Sequence, residues 1–135
     1  MTSATLKFVG SLSDVWQSQI PEDFLTFQGR TIGIWIESAD DGSCPAPEMR
    51  ALLDQILCDL PSVIDSAQTE LSRYENDSEE DYSTHIKNPH IWLTIDLVPN
   101  DPTAWTFVVE RDDWPDFGWH IEFRGIRFHE IWAGD

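Results

Sequence analysis

Residues 47–74, PEMRALLDQILCDLPSVIDSAQTELSRY, decide the fold. Met49, Leu52, Leu53, Ile56, Leu57, Leu60, Ile64, Ala67, Leu71 and Tyr74 recur three and four apart, the spacing that lines one side of a helix with apolar groups. Pro61 removes a backbone donor and crowds the preceding turn, yet the stripe keeps its phase across it. The stretch predicts a helix over 47–74, either kinked at Pro61 or split there into two helices sharing one face. Cys58, between the stripe members Leu57 and Leu60, reads as a small buried or half-buried filler.

On the N-terminal side, Leu25, Phe27, Ile32, Ile34 and Ile36 share one parity around Gln28-Gly29. That pattern predicts a hairpin in which Leu25 faces Ile32 and Thr26 faces Thr31, with glycine supplying the positive φ of the turn. A shorter strand is expected at Thr5–Val9. On the C-terminal side, Ile91, Leu93, Ile95 and Leu97 alternate with Trp92, Thr94 and Asp96. After the turn Pro99-Asn100-Asp101-Pro102, Trp105, Phe107 and Val109 alternate in the same way. Trp119, Ile121 and Phe123 lead through Arg124-Gly125 into Ile126 and Phe128, a second hairpin. Strands, a long helix and then a meander predict an α+β fold: a mostly antiparallel sheet with the helix packed on one face, a two-layer sandwich in a single domain, 1–135.

With 135 residues and 41% hydrophobic side chains the chain is long enough and apolar enough to bury a core, although its formal net charge is -17. Residues 37–81 hold 13 acidic side chains against Arg50 and Arg73, so the middle third carries most of the negative field. Such a field repels nucleic acid and anionic membranes and suits a basic protein partner. Solubility alone explains the charge equally well. No apolar run is long enough to span a bilayer and no secretory leader is recognisable, so a cytoplasmic address is expected. Cys44 and Cys58 have neither the number nor the spacing of a disulfide framework or a zinc knuckle.

Signals for chemistry are sparse. There is no GxSxG elbow, glycine-rich phosphate loop, HExxH or regular calcium loop, and no cofactor is expected. If Arg124-Gly125 forms a two-residue turn, His120 faces His129 and Glu122 faces Arg127 on the outer side of the hairpin. His120, His129 and Glu122 are then weak candidates for a metal, outweighed by a solvated cross-strand pair. The 7 tryptophans are many for this length, and Trp35 and Trp92 have the parity opposite to the aliphatic residues of their strands. Either they lie on an outer sheet face as protein-binding anchors or both sheet faces are covered and they are core.

The stretch Asp113-Trp114-Pro115-Asp116-Phe117-Gly118-Trp119-His120-Ile121-Glu122-Phe123-Arg124-Gly125, continuing to Ile131-Trp132-Ala133-Gly134-Asp135, resembles the ending of small acidic bacterial domains of unknown function. Those domains often carry Glu-His before the glycine where this chain has Asp116-Phe117. Several such groups occur in toxin–immunity neighbourhoods, and the resemblance implies an antitoxin-like binding role with no catalytic residue to carry over. The leading expectation is a non-enzymatic acidic protein-binding domain, an immunity-like protein for a basic partner. Glu75, Asp77, Glu79, Glu80 and Asp81 are its acidic contacts, and Trp114 and Trp119 its aromatic ones. The alternatives are a small hydrolase-like enzyme using His120 and a carboxylate, or a self-associating protein.

Overall fold

A computed structural model of the chain describes residues 7–9, 15–20, 24–37, 47–78, 86–94, 101–113 and 117–134. Among these residues nine strands and two helices follow one another as β1 (Lys7–Val9), β2 (Val15–Gln19), β3 (Thr26–Phe27), β4 (Arg30–Thr31), β5 (Gly33–Glu37), α1 (Pro47–Cys58), α2 (Leu60–Ser78), β6 (Ile86–Thr94), β7 (Ala104–Arg111), β8 (Gly118–Arg124) and β9 (Arg127–Gly134). Seven strands form one sheet in the order β1-β2-β5-β6-β7-β8-β9, and β3-β4 form a small second sheet. The fold is mixed α/β and mostly antiparallel. The exception is β5–β6, which run parallel because the chain crosses between them through both helices.

The helical stripe is split rather than bent. Asp59 separates α1 from α2, its amide donating to the Ile56 carbonyl at 3.2 Å in a tight turn while its own carbonyl accepts from Val63. Pro61 thus sits in the first turn of α2, where its missing N–H costs nothing. Every stripe residue from Met49 to Leu71 is buried, Val63 joins them, and Tyr74 is half-buried. Cys58, expected inside, is exposed, because the last residue of α1 points away from the stripe.

These helix residues share one hydrophobic cluster with Ile34 and Ile36 of β5, Ile91 and Leu93 of β6, Phe107 and Val109 of β7 and Ile121 and Phe123 of β8, all of one strand parity. Trp105 closes the lower end. Its ring stacks on Phe123 at 4.7 Å and 12°, and its buried Nε1–H donates to the Gly125 carbonyl at 2.6 Å.

The first hairpin keeps the expected register, Thr26 opposite Thr31, around Gln28 (φ 49) and Gly29 (φ 82). It ends after two pairs, and Gly33–Glu37 leaves to enter the main sheet between β2 and β6. β6 begins at Ile86, before the expected Ile91, and shifts register between Lys87 and His90, where Asn88 has φ 47. Ile95 and Leu97 lie outside the described residues.

The β8–β9 hairpin overturns the expected pairing. Arg124 pairs with Arg127, so the loop residues are Gly125 and Ile126, and the positive φ of Gly125 serves the first loop position instead of the second. A bulge between Glu122 and Phe123 then leaves His129 unpaired in the ladder, so that Glu122 faces Glu130 and His120 faces Trp132. His120 is not opposite His129, nor Glu122 opposite Arg127. Phe128, Ile131 and Ala133 pack on the core, while Ile126 is exposed.

Candidate functional site

The opposite parity of the seven strands builds the second face of the sheet. Its described residues are Gln19 on β2, Gly33 and Trp35 on β5, His90 and Trp92 on β6, Thr106, Val108 and Glu110 on β7, Gly118, His120 and Glu122 on β8, and Glu130, Trp132 and Gly134 on β9. Within strands, alternation dictates this set. Trp35 is 38% exposed, Trp132 is 40% exposed, and Trp92 is half-buried. Trp105 and Trp119, by contrast, are fully buried.

Two indole–imidazole stacks flank the small residues of β7. Trp35 lies on His90 with centroids 4.4 Å apart at 23°, and Trp132 lies on His120 at 3.9 Å and 8°. The Trp132 Nε1–H donates to the Glu122 carboxylate at 2.6 Å, which fixes that indole. Burial pushes the His90 imidazole below its ordinary value, opposed by a hydrogen bond to the Asn88 carbonyl and by the charge of Glu110. Burial likewise lowers His120, opposed by a hydrogen bond to the Gly134 backbone and by Glu122. His90 Nδ1 lies 2.7 Å from the Asn88 carbonyl oxygen, which only accepts, so Nδ1 carries the proton and Nε2 of the neutral ring is an acceptor. Val108 lies between the two histidines, and Thr106, between Trp92 and Glu122, is 1% exposed, its hydroxyl without a hydrogen-bond partner among the described residues.

At one end of this face a cleft of about 300 Å³ is lined by Gln19, Thr31, Gly33, Trp35, Asn88, Pro89 and His90. Among the described residues no Lys, Arg, Asp or Glu lines it.

The residues singled out from sequence fall in different parts of the fold where the structure describes them. Glu75 is half-buried on α2, and Asp77 lies in the last turn of that helix. Glu79, Glu80, Asp81 and Trp114 lie outside the described residues. Trp119 is core, with Phe117 edge-on to it at 6.5 Å and the Arg111 guanidinium 5.7 Å from its ring centre. His120 and Glu122 share the second face with His90, but His129 is displaced by the bulge. Among the described residues no group of three His, Cys, Asp or Glu side chains could hold a metal, and no helix is long and apolar enough to cross a membrane. Trp35 and Trp92 were legible from parity. Trp132 and His90 were missed, the first through the register error and the second because Pro89 masks the start of β6.

Comparison with protein-family models, with characterised proteins and with solved structures found no match.

Proposed function

We propose that the chain is a non-enzymatic, acidic protein-binding domain that takes a basic partner on the second face of its sheet. In this reading the two helices cover the other face, a two-layer arrangement. The observation that carries the proposal is the pair of exposed indoles, Trp35 and Trp132, each held by a stacked imidazole on a sheet face. Rigid tryptophans make strong interface anchors, since they bury a large area while losing little rotamer freedom. Glu110, Glu122 and Glu130 on the same face and the net charge of -17 favour a cationic complement. Glu75, Asp77, Glu79, Glu80 and Asp81 add to the field that steers encounter, as an immunity-like role for a basic toxin requires. We prefer this reading to a hydrolase at His120, where the neighbouring Glu122 carboxylate accepts from the Trp132 indole.

The test compares wild type with Trp35→Ala/Trp132→Ala and with the neutralised variant Glu79→Gln/Glu80→Gln/Asp81→Asn, using a basic protein retained from native lysate by wild type. The tryptophan variant should lose retention by raising the dissociation rate. The neutralised variant should slow association and flatten its salt dependence in stopped flow. Unchanged retention by the tryptophan variant, with its fold intact by circular dichroism, refutes the proposal.

A further inference from the structure

The cleft at the β2–β5–β6 end of this face is built by two departures from regular strand. Gly33 pairs with Gln19 on one side and His90 on the other, so one position of the second face carries no side chain. A Cβ there would lie 3.2 Å from the His90 Cβ and 3.6 Å from the Trp35 Nε1, which means that glycine leaves open the space these residues border. On β6, Asn88 adopts φ 47 and the register shifts between Lys87 and His90, where Asn88, Pro89 and His90 line the cleft. The cleft thus combines a position without a side chain at Gly33 with the Trp35 indole in its lining.

Its chemistry is selective. His90, Asn88, Gln19 and Thr31 line it beside Trp35, and each of these side chains carries a neutral acceptor. Among the described residues no cationic side chain lines it, and Glu110 is close enough for its charge to act on His90. An anion would meet neither a counter-charge nor a favourable field. At about 300 Å³ the slot is at the small end for a ligand and suits one side chain. A guanidinium is planar, stacks on indole, presents five donors in fixed directions and sheds its hydration more readily than an ammonium.

We infer that the cleft formed by Gly33, Trp35, Asn88 and His90 is a specificity pocket for an arginine side chain presented by the basic partner. This deepens the binding reading above and rests on it.

The test uses the full chain and three small probes: N-acetyl-L-arginine methylamide, its lysine counterpart, and its neutral planar counterpart N-acetyl-L-citrulline methylamide. Indole N–H resonances are followed by two-dimensional NMR during titration. The arginine probe should give a saturating shift at the Trp35 indole, with the lysine and citrulline probes at least tenfold weaker. Gly33→Ala, followed at the Trp35 indole, and Trp35→Ala, followed at the Gly33 and His90 backbone amides in the same spectra, should each weaken the arginine probe at least tenfold. Trp35→Ala alters an exposed ring, and so remains informative if Gly33→Ala impairs folding. Equal binding of citrulline would make the slot a neutral-amide site, and equal binding of lysine would reduce it to a charge effect. Shifts confined to Trp132, or none at all, would remove the pocket. Each of these outcomes overturns the inference. The failures are separable: if the arginine probe does not bind but the Trp35→Ala/Trp132→Ala variant still loses the basic partner, the pocket falls and the docking face stands.

Discussion

Gly118 gives the sharpest test of the sheet. It pairs with Glu110 on β7 and Gly134 on β9, and a Cβ built on it would stand 2.6 Å from the Val109 carbonyl oxygen, 3.1 Å from the Glu110 Cα and 3.3 Å from the Val109 carbonyl carbon. All three contacts are backbone atoms of a central strand, so relief requires the β7–β8 ladder itself to move. Overpacking of this kind costs about 1–3 kcal/mol. Replacing glycine returns roughly 0.4–1 kcal/mol by restricting the unfolded chain. Gly118→Ala should therefore lose about 1–2 kcal/mol, which at roughly 4 °C per kcal/mol for a chain of this size lowers Tm by about 4–8 °C. Gly134→Ala is the matched control. Its Cβ would meet only the Trp132 ring, at 3.2 and 3.6 Å, and a shift of a few tenths of an ångström by that side chain relieves the contact without moving the ladder, so the change should stay within about 0.5 kcal/mol. Thermal melts followed by circular dichroism decide between them. An unchanged Tm for Gly118→Ala, or equal losses in the two variants, would refute the account of close β7–β8 approach.

Two further outcomes are expected. Trp105→Phe should keep the stack on Phe123 but strip the Gly125 carbonyl of its buried 2.6 Å donor, costing about 2–3 kcal/mol as a lower midpoint in urea at unchanged slope. Stability should also fall with acidification, because burial lowers His90 and His120 in the folded state while the unfolded chain titrates near 6.5. The unfolded state then binds more protons as pH drops from about 7 through 6.5, and the loss levels off once pH passes below the folded values. Urea titrations at pH 7.5 and 5.5 should show a smaller difference for His90→Gln/His120→Gln than for wild type, and an equal difference would show that carboxylates alone set the slope.

Much of the core was legible because burial imposes periodicity. Leu52, Ile56, Leu60, Ile64 and Leu71 could be placed without knowing where the helix breaks, since Pro61 fits the first turn of a new helix as readily as a kink. The Thr26–Thr31 register followed from one glycine with one available role. The Gly125 turn failed because a positive φ is compatible with either loop position, and the bulge that displaces His129 leaves no compositional trace. β2 was not foreseen at all, since Val15-Trp16-Gln17-Ser18-Gln19 lacks apolar alternation. The second face was half visible: parity set Trp35 and Trp92 apart from the aliphatic residues, but the meeting of Trp35 with His90 depends on which strand lies beside β5, a choice made by the crossover.

That crossover also sets the order in which the molecule can assemble. β6 to β9 are joined in sequence order by successive antiparallel pairings, so each ladder closes soon after its neighbour. The seam between β5 and β6 pairs Ile34 with Ile91 and encloses both helices in a single loop. Closing a loop of that length costs about 3–4 kcal/mol of chain entropy before any contact repays it. The meander is thus the natural nucleus and the β1-β2-β5 half its late arrival. Partial opening would part the sheet at the same seam and separate Trp35 from His90, leaving the core residues of the meander together.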